Sequence, residues 1–87
     1  MKPVTLYTLA TCSYCVRAKI LLNDKGISEN DWTEIRLDGN PAGKTAMIER
    51  TGRKTVPQIY IGDTHVGGFD DLNALEQSGK LDALLAD

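Results

Sequence analysis

The run Tyr7 to Val16, YTLATCSYCV, constrains this chain more than any other stretch. A β-branched segment, Pro3 to Thr8, leads into it. A helical pattern, Ser13 to Lys25, leads out of it, with Val16, Ile20, Leu21 and Leu22 as the predicted apolar side. A strand handing over directly to a helix is half of a crossover unit, so a second strand is needed beside the first. The only two cysteines, Cys12 and Cys15, fall at that handover in a C-x-x-C spacing. A helix start presents unpaired backbone N–H groups and the positive end of the helix dipole, and both favour an anion. A thiol placed there ionises more readily, and the thiolate is the reactive form. Cys12 is therefore the candidate redox nucleophile and Cys15 its resolving partner.

The remaining pattern completes an α/β fold. Gly26 fits a left-handed residue just past the first helix. Trp32 to Leu37 alternates imperfectly and predicts a second strand. Asp38-Gly39-Asn40-Pro41 is a turn that also starts a helix, with Asn40 as N-cap and Pro41 as the first helical residue. That helix is predicted to run to about Arg50, with Ala42, Ala46, Met47 and Ile48 on its inner face. Val56 to Ile61 and Thr64 to Val66 predict a hairpin around Gly62-Asp63. A helix then starts at Asp70 or Asp71 and runs through Leu72, Leu75 and Glu76, and Leu81 to Leu85 forms a last short one. The predicted order, β-α-β-α-β-β-α with a final helical turn, makes a small four-stranded mixed sheet flanked by helices. Helical crossovers after the first and second strands predict parallel pairing at both places.

Eighty-seven residues suit one domain, 1–87, and a 41% apolar fraction supports one modest core. A formal charge of −2 gives no reason to expect nucleic acid or an anionic membrane as partner. No apolar run approaches the roughly 18–20 residues that span a bilayer. MKPVTLYT has neither a long apolar segment nor a cleavage site, so a cytoplasmic protein is expected. In a reducing compartment a C-x-x-C pair is more often catalytic or metal-binding than a staple, and so short a loop would stabilise little.

Three motifs carry chemistry, and each has a bland alternative. C-x-x-C fits thiol–disulfide exchange, half of a zinc site, or two buried structural cysteines. Zinc needs two further ligands, and His65 is the single histidine. Thr55-Val56-Pro57 is either an edge-strand proline or a cis proline that leaves the Val56 backbone free to pair with an extended peptide. Gly67-Gly68-Phe69-Asp70-Asp71 is either a turn with a helix cap, or a close-approach loop whose N–H groups hold a carboxylate and whose aspartates accept from an ammonium.

In this order, C-S-Y-C, T-V-P-Q-I-Y-I and G-G-F-D-D-L resemble the glutaredoxin family, above all its short bacterial dithiol members, from about Val4 to Leu85. The resemblance implies a thioredoxin-like fold and glutathione as reductant and co-substrate. It implies that Cys12 is the nucleophile and Cys15 the resolving cysteine. Tyr14 corresponds to an aromatic beside the bound tripeptide. Thr55, Val56 and cis Pro57 correspond to the segment that pairs with its cysteinyl part, and Gly68, Phe69, Asp70 and Asp71 to the loop at its γ-glutamyl end. The implied substrates are protein–glutathione mixed disulfides and protein disulfides, with ribonucleotide reductase among the partners of relatives. A monomer is implied. The missing W-C-G-P-C separates the chain from thioredoxin-type reductants.

Two positions depart from the family pattern. Ser13 stands where proline is usual. In some dithiol relatives a serine there accompanies a bridging [2Fe–2S] cluster between two subunits, with glutathione as co-ligand. The alternative implied is therefore a cluster-loaded dimer, a carrier or sensor, in which Cys12 is the protein's ligand. Leu9 replaces a lysine that in many relatives meets the glycyl carboxylate, and Lys44 is expected to carry more of that role. Trp32 is expected at a strand edge, His65 on a strand surface, and Met47, Leu72, Leu75 and Leu81 in the core. Arg50, Arg53 and Lys54 suit a solvated face, or weak steering of an anionic tripeptide.

Overall fold

The computed structural model describes residues 1–86. Strand β1 (Val4–Thr8) feeds helix α1 (Ser13–Asp24), followed by β2 (Trp32–Arg36), α2 (Pro41–Thr51), β3 (Gln58–Ile61), β4 (Thr64–Gly67), α3 (Phe69–Gln77) and α4 (Leu81–Leu85). The four strands form one mixed sheet in the order β2-β1-β3-β4. No helix among the described residues is long and apolar enough to cross a membrane.

β1 pairs with β2 in parallel, Val4 opposite Trp32, as the first crossover requires. The second crossover ends differently from its expected parallel pairing. β3 lies on the other side of β1 and runs antiparallel to it, with Leu6 opposite Ile59. The cause lies in burial. Every residue of β3 is buried, so both its edges need partners, and it sits between β1 and β4. β2 is only half-buried and suits an edge, where Trp32 packs partly against the core. The connection from Gly52 to Pro57 spans up to about 20 Å when extended, enough to bring the chain into the sheet from its other end. The β3–β4 hairpin is antiparallel, with a register irregularity between Ile59 and Tyr60.

The larger core is aliphatic. Val4, Leu6, Ile59 and Ile61 of the sheet meet Ala18 and Leu22 of α1, with Leu72, Leu81 and Leu85 closing it. Each fully buried side chain of this size contributes roughly 1.5–3 kcal/mol from apolar transfer. A smaller cluster of Tyr7, Leu37, Met47 and Tyr60 lies apart from it, with Ile35, Ile48 and Val56 packed against it. Met47, Leu72 and Leu81 are buried as expected, and Leu75 is partly so.

Two expected helix faces are rotated. On α1, Val16 and Ile20 are 52% and 54% exposed, while Cys15, Ala18 and Leu22 are buried. Val16 and Ile20 stand about 100–140° around the helix from Cys15. One helix cannot bury both stripes, and Cys15 with small Ala18 allows the closer approach to the sheet. On α2, Met47 alone is buried and Ile48 is half-buried, while Ala42 and Ala46 face solvent. Asn40 caps α2 by accepting from the Gly43 N–H at 3.0 Å, and Gly52 ends it in the left-handed conformation.

Candidate active site

Cys12 is the N-cap of α1, in extended conformation. Its Sγ accepts from the Cys15 N–H at 3.3 Å and donates to the Val56 carbonyl at 3.6 Å. These two contacts hold the sulfur between the start of α1 and the segment preceding β3. Both cysteines are reduced; Cys12 is partly exposed and Cys15 only 2% exposed. Burial pushes the Cys15 thiol up to about 12, reinforced by its hydrogen bond with Cys12. Cys15 therefore keeps its proton near neutrality, and Cys12 is the thiol that can meet a substrate.

Val56-Pro57 is a cis peptide bond, so the cis alternative for this proline is the one observed. Pro57 is buried, whereas Thr55 and Val56 retain contact with solvent. The segment next to Cys12 thus lies outside β3, with Thr55 and Val56 reaching solvent.

Beside it lies a groove of about 350 Å³. Thr55, Val56 and Pro57 line it together with Gly68, Phe69, Asp70 and Asp71, and Tyr14 and Arg53 complete the lining. This volume is in the range of small-ligand sites, about 300–1,000 Å³. Tyr14 and Phe69 have ring centroids 6.4 Å apart, and Arg17 lies 5.3 Å from the Tyr14 ring centre. The structure thus gathers Cys12, Tyr14 and the two downstream motifs into one place.

Helix α3 starts one or two residues before its expected position. Gly68 is its N-cap and Phe69 its first residue. Asp71 accepts from the Gly68 N–H at 3.0 Å, so part of the G-G-F-D-D loop is indeed a helix cap. Asp71 also accepts from the Arg53 guanidinium at 3.1 Å. The Gly68 N–H and Arg53 together hold the Asp71 carboxyl below its usual range. Gly67, at φ +110, is required here: a Cβ on it would collide with the Asp71 carboxylate and crowd the Arg53 guanidinium. Asp70 is exposed and lines the groove.

Two basic residues stand differently toward the groove. Lys44 is exposed in the first turn of α2 and does not line the groove. Arg53 does line it, and it is the one site residue that the motifs did not mark. The signal was a basic residue two positions before Thr55, but its carboxylate partner lies eighteen residues on and is joined only by folding. Arg50 is not simply a solvated side chain: its guanidinium lies 3.7 Å from the Tyr60 ring centre and donates to the Tyr7 hydroxyl at 3.5 Å. Leu9 is 38% exposed beside the cysteine loop, and its carbonyl accepts from the Cys12 N–H.

No group of three His, Cys, Asp or Glu side chains able to hold a metal ion occurs among the described residues. Cys12 is the accessible thiol and Cys15 is enclosed.

Comparison with known proteins agrees with this geometry. The family model described as Glutaredoxin matches residues 4–66. A glutaredoxin of Pseudomonas aeruginosa is 56% identical over 86 residues, covering 99% of each chain. Glutaredoxin 3 of Escherichia coli is 53% identical over 85 residues, covering 98% of this chain and 99% of the relative. Among solved structures, the crystal structure of a buckwheat glutaredoxin–glutathione complex superposes with a TM-score of 0.84 at 32% identity, covering 97% of this chain and 76% of the other.

Proposed function

The chain belongs to the glutaredoxin family of glutathione-dependent thiol oxidoreductases, with its thioredoxin-like fold, and we propose that it reduces protein–glutathione mixed disulfides and protein disulfides through Cys12. The observation that carries this reading is the 3.6 Å approach of the Cys12 sulfur to the Val56 carbonyl, at the edge of a groove sized for a tripeptide. A peptide lying along Val56 would bring its own sulfur to Cys12.

The Cys12 thiolate attacks the glutathione sulfur of a mixed disulfide. The target's sulfur leaves as a thiolate and takes a proton, and Cys12 is left bonded to glutathione. A second glutathione thiolate attacks the glutathione sulfur of that intermediate, releasing Cys12 and one molecule of glutathione disulfide. With a protein disulfide, Cys12 first bonds one target sulfur. The Cys15 thiol then gives up its proton, attacks the Cys12 sulfur and expels the target as a thiol. The product is an internal Cys12–Cys15 disulfide, which two glutathione molecules reduce. Burial keeps the Cys15 thiol protonated, so Cys12 rather than Cys15 makes the first attack.

In the groove, the Val56 backbone pairs with the cysteinyl part of glutathione. The N-terminus of α3 meets the γ-glutamyl carboxylate. Asp70 and Asp71 face its ammonium. Arg53 in the groove, with Lys44 as a more distant contributor, faces the net negative charge of the tripeptide. The reading extends to a cytoplasmic monomer whose targets include disulfide-forming enzymes such as ribonucleotide reductase. The cluster-bearing alternative draws on Ser13 alone and needs thiols from outside the chain. Anaerobic purification distinguishes it: a brown, dimeric protein with visible absorption would favour a carrier or sensor. The primary test is a glutathione-coupled assay with a hydroxyethyl disulfide substrate. Turnover supported by glutathione upholds the proposal, and turnover supported only by a flavoprotein reductase overturns it.

A further inference from the structure

Gln58 follows the cis proline directly and is wholly buried, yet it is polar. Its amide has two sets of partners. Nε2 donates to the Thr55 carbonyl at 3.0 Å and lies 3.2 Å from the Thr55 hydroxyl. Oε1 lies 2.8 Å from Nε2 of His65 on the adjacent strand β4. The Thr55 carbonyl can only accept, so the amide nitrogen must face Thr55 and the amide oxygen must face His65. His65 must then carry its hydrogen on Nε2. The His65 ring is held in place by stacking on Tyr60, with centroids 4.9 Å apart.

The direction of this chain continues to the groove. An N–H reaching the Thr55 oxygen from Gln58 occupies one of its lone pairs and leaves the hydroxyl hydrogen free to turn elsewhere. Thr55 is exposed and lines the groove.

We propose that His65 and Gln58 are positioning residues that orient the Thr55 hydroxyl as a donor to a carboxylate of the bound tripeptide, through the ordered chain His65 Nε2–H to Gln58 Oε1, Gln58 Nε2–H to Thr55, and Thr55 O–H to ligand. This rests on the groove being the glutathione site. His65, expected to be an ordinary strand-surface histidine, then acts on glutathione binding without touching glutathione.

Two measurements test it. Nitrogen-15 NMR of the ligand-free protein should find neutral His65 as the Nε2–H tautomer; an Nδ1–H tautomer overturns the chain. In steady-state kinetics, His65→Phe keeps an aromatic ring over Tyr60 but removes the donor. It should raise the KM for glutathione roughly three- to tenfold with kcat little changed. His65→Gln can place an amide N–H where Nε2 stood and should recover most of that loss. Thr55→Val should raise KM at least as much, and the double variant His65→Phe/Thr55→Val no further than Thr55→Val alone. An unchanged KM in His65→Phe, or fully additive effects in the double variant, would overturn the proposal. If the unaltered protein showed no turnover with glutathione, the functional reading would fall instead, and the tautomer would still decide whether the chain of hydrogen bonds exists.

Discussion

Cys12 and Cys15 sit at opposite ends of a single helical turn, and they occupy different media. Cys12 meets solvent, a backbone N–H and a carbonyl at the edge of a ligand-sized groove. Cys15 lies inside the helix–sheet contact, 2% exposed, with its pKa driven up by burial. The spacing of two intervening residues thus separates one accessible thiol from one enclosed. The difference teaches that C-x-x-C sets chemistry by the direction its second residue faces, as much as by the proximity of two sulfurs.

The most severe way to break this contrast is Cys12→Ser. It should lower both deglutathionylation and disulfide reduction by on the order of a thousandfold or more, because no accessible thiol is left to replace it. Cys15→Ser should keep deglutathionylation within about threefold while disulfide reduction is lost, since only the latter needs an internal resolving thiol. Loss of both activities in Cys15→Ser, measured side by side with the two substrate types, would cancel the division of roles.

The same inner and outer faces of α1 can be compared through stability. Leu22→Ala removes a fully buried side chain and should cost about 2–5 kcal/mol in denaturant unfolding. Ile20→Ala, more than half exposed, should stay within about 0.5 kcal/mol. A large loss at Ile20 would mean that the apolar stripe Val16–Ile20 is covered in solution. Smaller still are the charge effects around the groove. Arg53→Ala should raise the KM for glutathione severalfold and Lys44→Ala about twofold, because Arg53 lines the groove and Lys44 does not. The reverse order would return the main carboxylate contact to Lys44.

Acid sensitivity offers a final check on the interior of the site's support. Burial alone would raise the Glu34 carboxyl, but Lys19 at 2.6 Å and the Thr8 hydroxyl at 2.6 Å outweigh it and hold it below its ordinary 4.5. A depressed folded pKa stabilises the fold above the unfolded value and is lost as pH falls through the folded one. Glu34→Gln should therefore reduce the loss of stability below about pH 4.5, with little change in its acid dependence above that, as followed by unfolding at a series of pH values.

What the sequence made legible was local. The handover from β1 to α1, the Asn40 cap and the hairpin around Gly62-Asp63 depend on neighbouring residues, and all are present. The three motifs likewise meet at one groove. What escaped it was relational. The apolar residues of α1 form two stripes, and only contact with the sheet decides that Cys15, Ala18 and Leu22 win the interior. The α2 pattern does not say from which end of the sheet β3 enters. Arg53 joins the groove through Asp71, and His65 is tied to Gln58 across a hairpin, so neither partnership leaves a local trace.

Cys12 is the reacting atom's owner and also the cap of its own helix. A sulfur tied into a disulfide has lost the S–H that reaches the Val56 carbonyl, so glutathionylation of Cys12 should release that contact and loosen the Cys15 N–H contact with it. The first turn of α1 is thereby a gauge of the enzyme's chemical state. The Cys15 amide should exchange with solvent faster in the glutathionylated form than in the reduced one, a rhythm of fraying that keeps time with turnover.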